Sequence, residues 1–166
     1  MPYTPLFHEI LEKVAKLKTK KQKVSHLKEH NTPALRMVLK SSFDPNIIWA
    51  LPAGAVPYKP NDVPEGTEHT LLASEASRLY HYVQGGNNAL SQNKRESMFV
   101  QMLEGLHESE AAVIIAAKDK KLHQMYKGLS APVVKEAFNW NDEFMIIEDD
   151  HAKYYPASRS ASGLAG

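Results

Sequence analysis

The chain has 166 residues, 43% of them apolar and 23% charged, which is enough for one ordinary domain with a sizeable core. Its net charge of +1 excludes a global electrostatic field directed at nucleic acid or an acidic partner. The absence of cysteine excludes disulfides, thiolate metal sites and cysteine catalysis.

The predicted elements are mostly helical. Thr4-Pro5 carries a start signal, and Phe7, Ile10, Leu11, Val14 and Leu17 follow at helical spacing. Thr19 is the expected N-cap of a second helix bearing Val24 and Leu27. Asn31-Thr32-Pro33 repeats the start signal for a third, with Leu35, Val38 and Leu39. The segment from Ser41 to Pro64 then gathers five of the ten prolines and one of the two tryptophans. Asp44-Pro45 and Pro52-Ala53-Gly54 read as turns, and Ile47 to Leu51 as a helical turn or a short strand. Val56 to Pro60 should be extended, because a residue before proline avoids the α region. A segment this apolar should be ordered, with Trp49 mostly buried.

Helices resume near Thr70, where Leu72, Ala76, Leu79 and Val83 share a face and Gly85-Gly86 reads as a C-cap pair. Ser91 to Leu106 is the strongest helix, striped by Phe99, Met102, Leu103 and Leu106. Another starts near Ser109 with Val113, Ile114 and Ile115 and breaks at Asp119-Lys120-Lys121. A turn from Leu122 to Tyr126 precedes Gly128, and Ser130 should cap a last helix, Ala131 to Phe138. Phe144 to Ile147 reads as a short strand or a docked extension. The expected fold is mainly α: a single compact domain of about six helices over residues 1–150, containing a proline-rich ordered segment at 41–66. Residues 151–166 should form a flexible tail, being small and polar. The expected core includes Ile10, Val14, Leu39, Leu79, Phe99, Leu103, Leu106, Val113 and Ile114.

Three features bear on function. From Lys13 to Lys28 there are seven lysines and no acidic residue, and Lys18, Lys20, Lys21 and Lys23 crowd the joint between the first two helices. Such a cluster can neutralise phosphates, and its plain alternative is a solvated face; arginines and interleaved aromatics, which read or stack bases, are missing there. At the other end, Asp142, Glu143, Glu148, Asp149 and Asp150 make an acidic portion, so the two ends could orient partners or associate head to tail. In the central segment, Phe43, Trp49, Pro57 and Tyr58 could form a rigid docking surface or the lid of a helical core.

No catalytic, metal or cofactor site is expected. His26 and His30 share a helix face four residues apart, but Leu27, Lys28 and Glu29 between them do not complete a zincin pattern. No phosphate-binding loop and no G-x-S-x-G elbow occurs. Glu104, Glu108 and Glu110 carry no sequence sign of the environment that separates two carboxyl pKa values. No apolar run approaches the roughly 20 residues that cross a bilayer, and the N-terminus meets acidic residues too early for a secretory signal. The expectation is an intracellular protein without a membrane partner.

The segments KSSFDPNIIWALPAGAVPYKPN and KRESMFVQMLEGLHESEAAVIIAAKDKKL carry a phenylalanine before Asp-Pro, a Leu-Pro-x-Gly turn, a Pro-Tyr pair, a Lys-Arg-Glu helix and a Lys-Asp-Lys-Lys stop. In these, from about Phe7 to Phe138, the chain resembles a family of small proteins of large contractile-tailed phages, cyanophages among them. The resemblance transfers no activity, cofactor or site. It implies a phage product in the cytoplasm of an infected bacterium, or one carried in the virion. With the lysine cluster it favours an accessory protein that binds nucleic acid or the replication, recombination or transcription machinery. A virion or assembly protein is the second expectation, and an inhibitor of a host defence factor the third; both take a phage or host protein as partner.

Overall fold

A computed structural model describes residues 5–60 and 69–146. Among them stand eight α-helices: α1 (Phe7–Lys16), α2 (Lys20–Glu29), α3 (Pro33–Phe43), α4 (Leu72–Glu75), α5 (Gln92–Gly105), α6 (Glu108–Lys118), α7 (Leu122–Met125) and α8 (Ala131–Phe138), with a 3₁₀ helix at Ala76–Tyr82. The described residues include no strand longer than an isolated bridge. The chain is therefore mainly helical and forms a single compact domain. No helix among the described residues is long and apolar enough to cross a membrane.

Local chemistry sets most boundaries. Thr19 accepts the amide hydrogen of Gln22 (3.1 Å), and the Gln22 side chain accepts that of Thr19 (3.3 Å), a capping box that starts α2. Thr32 accepts from Leu35 (3.1 Å) with Pro33 at the first helical position of α3. Ser91 accepts from Lys94 (3.2 Å) at the start of α5. Asn139, left-handed at φ 57°, closes α8.

The apolar stripes meet as their spacing requires. α3 packs on α6, α1 on both α2 and α6, and α2 on α8. Ile10, Val14, Leu39, Leu79, Phe99, Leu103, Leu106, Val113 and Ile114 are all buried. Trp49 joins this core at 8% exposure; its indole N–H donates to the Ser41 carbonyl (2.9 Å), and its ring meets Phe99 edge-on.

Several boundaries differ from the sequence reading. The first helix starts at Phe7 with Leu6 as N-cap, and the Glu9 carboxylate accepts the Leu6 amide hydrogen (2.8 Å); Thr4 lies outside the described residues. Ser130 occupies the N-cap position of α8, but its side chain accepts no capping bond. The single helix expected from Thr70 to Val83 is one turn of α4 followed by the 3₁₀ helix. The reason is tertiary: the Tyr82 carbonyl accepts from Ala50 (2.7 Å) and the Gln84 amide donates to Ile48 (2.8 Å), which requires Val83 to be extended. Gly85-Gly86 is consequently a turn rather than a helix cap. A Cβ on Gly86 would lie 1.9 Å from the Tyr80 carbonyl oxygen, so only glycine fits there. Arg95 is buried and ties this turn to α5, donating to the carbonyls of His81 (2.9 Å), Asn87 (3.1 Å) and Leu90 (3.2 Å).

The central segment is strapped across α5 and α6 by side chains of those helices. The Lys118 ammonium donates to the carbonyls of Pro52 (2.7 Å) and Gly54 (3.1 Å), Gln92 donates to Ala50 (2.9 Å), and Glu104 accepts from the Lys59 amide (2.9 Å). Residues 61–66 of that segment, the tail at 151–166, and Glu148, Asp149 and Asp150 lie outside the described residues.

Candidate functional site

The lysine cluster lies where α1 hands over to α2. Lys18, Lys20 and Lys21 are exposed, as are Lys13 and Lys16 in the last turn of α1. Lys20 and Lys21 occupy the first two positions of α2, whose first turn holds no acidic residue. Helix N-termini carry partial positive charge, so lysines there are opposed by about 0.3–1 kcal/mol each, and an anion brought to them is favoured. The capping box satisfies the Gln22 amide; Glu136 of α8 lies 3.2 Å from the Lys20 ammonium, and Glu12 of α1 lies 3.6 Å from that of Lys16. Lys23 plays a different part. Its ammonium donates to the Leu17 carbonyl, and its stem lies so close to Gly128 that a Cβ there would approach the Lys23 Cε to 2.7 Å. Lys18, Lys20 and Lys21 thus form the open face, while Lys23 locks the α1–α2 joint.

The four expected docking residues do not form one surface; Pro57 and Tyr58 stay adjacent, and Trp49 and Phe43 lie elsewhere. Trp49 is core, and Phe43, half-buried, packs near His123 with centroids 6.4 Å apart. Pro57 is exposed on the rim of a small cavity of about 130 Å3 with Val56, Glu96 and Phe99. Tyr58 lines an adjoining open groove of about 540 Å3 with Val56, Ile115, Lys121 and Met125. Burial pushes the Tyr58 hydroxyl up, and the Glu108 carboxylate adds to the shift.

His26 and His30 face each other with centroids 4.7 Å apart. Burial, then the charge of His30, hold His26 below the usual histidine range. Among the described residues, no group of three histidine, aspartate or glutamate side chains converges on a metal position.

Glu110 corrects the reading of the α6 carboxylates. It is 1% exposed, and its two oxygens accept the amide hydrogens that begin two helices: Phe7 of α1 (3.0 Å) and Leu72 of α4 (2.9 Å). Burial pushes its carboxyl up, and the two backbone hydrogen bonds and nearby His107 oppose that shift. Lys118, the last residue of α6 before the break, is also buried and pairs with Asp119 at 2.6 Å. The sequence holds one hint of this burial, although the partners come from distant segments. Glu110 and Lys118 lie on the stripe defined by Ala111, Ile114 and Ala117, where an ionisable residue must be partnered.

The class defined by these features is a small helical domain with a basic inter-helix joint on its surface and buried ionic straps inside. Residues 10–124 match the model of a family of unknown function, DUF6433, and the chain belongs to that family. The match includes the lysine joint, the central segment, Glu110 and Lys118; α8 lies beyond it. No curated protein and no solved structure matches the chain.

Proposed function

We propose that this chain is a non-enzymatic accessory protein of a large contractile-tailed phage, working in the infected cell, and that the α1–α2 joint binds the phosphates of a nucleic acid. The observation that carries this reading is the exposed set Lys18, Lys20 and Lys21 at a helix N-terminus without an acidic residue in its first turn. Solubility alone does not require lysines at the end of a helix where the backbone field opposes them. Binding is sequence-tolerant, because lysine is a point charge without the planar fork that reads guanine. The phage context comes from the resemblance of the central segment and the α5–α6 region.

The test is fluorescence anisotropy with labelled single- and double-stranded probes across a salt series. On duplex DNA each neutralised phosphate adds about 0.9 to the slope of log K against log salt. Replacing Lys18, Lys20 and Lys21 with glutamine is expected to remove most of that slope and abolish binding near physiological salt. Binding that survives the triple change rejects the site. Absence of binding by the unaltered chain rejects the class in favour of a protein partner.

A further inference from the structure

Met145 and Ile146, 59% and 65% exposed, are the least buried large apolar side chains among the described residues. They stand on a short hairpin after α8. Trp140 bridges to Ile146, the Asn141 amide donates to the Met145 carbonyl (2.8 Å), and the Asn141 side-chain oxygen accepts from Glu143 (2.8 Å) and Met145 (3.2 Å). Phe144 between them takes φ 58° and is buried against Trp140, with centroids 6.0 Å apart. Left-handed backbone is costly for a residue other than glycine. Here it turns the Phe144 ring inward and the next two side chains outward. Asp142 and Glu143 are exposed beside the pair, and the sequence continues Ile147-Glu148-Asp149-Asp150. Lys135 is the cation on this side, 3.2 Å from Asp142 and 5.0 Å above the Phe144 ring.

The groove lined by Tyr58 offers an apolar wall with one cation on its rim. Ala55, Val56, Ala112, Ile115 and Met125 make its apolar wall, and exposed Lys121 stands on its rim. Glu108 lies near Tyr58. Its volume of about 540 Å3 accommodates two medium aliphatic side chains. The hairpin bonds leave the Met145 and Ile146 side chains in solvent.

We infer that the chain associates head to tail: the acidic Met145–Ile146 hairpin of one copy seats in the Tyr58–Met125 groove of a second copy, with Asp142 and Glu143 toward Lys121. The contact is heterologous, so it propagates into a ring or an open chain rather than closing as a two-fold dimer. It is independent of the lysine joint and does not require nucleic acid.

Sedimentation velocity of the nuclease-treated full chain over a concentration series tests this. The weight-average sedimentation coefficient is expected to rise with concentration and to fall when salt screens the charged rim. Met145→Asp with Ile146→Asp should weaken association by at least about tenfold, since two apolar side chains lose their burial. Met125→Asp should weaken it from the groove side. Circular dichroism checks that both variants keep the helical fold. Mixed together, the hairpin variant and the groove variant still own one intact hairpin and one intact groove, so a single heterodimer should form. A wild-type chain that stays monomeric overturns the inference and leaves the groove to a different partner. Association unchanged in the hairpin variant, or a mixture that yields no heterodimer, overturns it as well.

Discussion

The C-terminal end of α6 and the N-terminal end of α2 both carry lysine, and the fold treats them in opposite ways. Lys118 sits in the last turn of α6, where the helix field favours a cation, and its ammonium is enclosed by the carbonyls of Pro52 and Gly54 and the carboxylate of Asp119. Lys20 and Lys21 sit in the first turn of α2, where the field opposes them, and they remain in solvent. The first arrangement gains fold stability by closing the central segment over the helices. The second gives up a little stability and leaves a positive surface open to an anion. One residue type thus acts as an internal strap or as an external contact, and only the position of its neighbours in space decides which.

The largest effect should come from the strap. Lys118→Ala removes a buried ammonium and leaves the half-buried Asp119 carboxylate without its cation and two carbonyls without a donor, a change expected to cost about 3–5 kcal/mol in denaturant unfolding. A loss under about 1 kcal/mol would show that water replaces the ammonium and that the contrast with α2 is only one of exposure.

Glu110 sharpens the same contrast with the opposite charge. Glu110→Ala orphans the amides of Phe7 and Leu72, at about 1–3 kcal/mol for each group left unsatisfied. Glu110 also has a signature in pH. Its folded-state pKa is raised, so the folded chain holds this proton more tightly than the unfolded chain does. Its contribution to stability is therefore greatest in acid and declines as pH rises through the raised carboxyl range. Chemical unfolding of Glu110→Gln across that range should lack this component. A pH profile identical to that of the unaltered protein would place the titration elsewhere.

The smallest effect, and the one closest to function, is at Lys21. Lys21→Gln removes a cation from the wrong end of a helix and should leave the melting temperature unchanged or raise stability by up to about 1 kcal/mol. The same change should weaken nucleic-acid binding and lower its salt slope by about 1. A marked fall in stability would show that Lys21, like Lys23, is structural.

The helices themselves were legible in the sequence. Stripes such as Ile10-Val14 and Phe99-Leu103-Leu106, the Thr19 and Thr32 caps and the Ser91 start are local signals, and helix formation depends first on neighbours within four residues. The lysine cluster was equally plain, because it is contiguous in the chain. What was lost was decided by contacts between distant segments. Val83 gives up its helical place to pair with Trp49, Arg95 leaves the surface for three carbonyls of a turn, and Glu110 bridges the starts of two helices. The division among Lys18, Lys21, Lys23 and Lys118 has the same origin. A charged side chain does not carry its own burial: its stem and head are stable in solvent or inside, and the tertiary arrangement of acceptors selects between them.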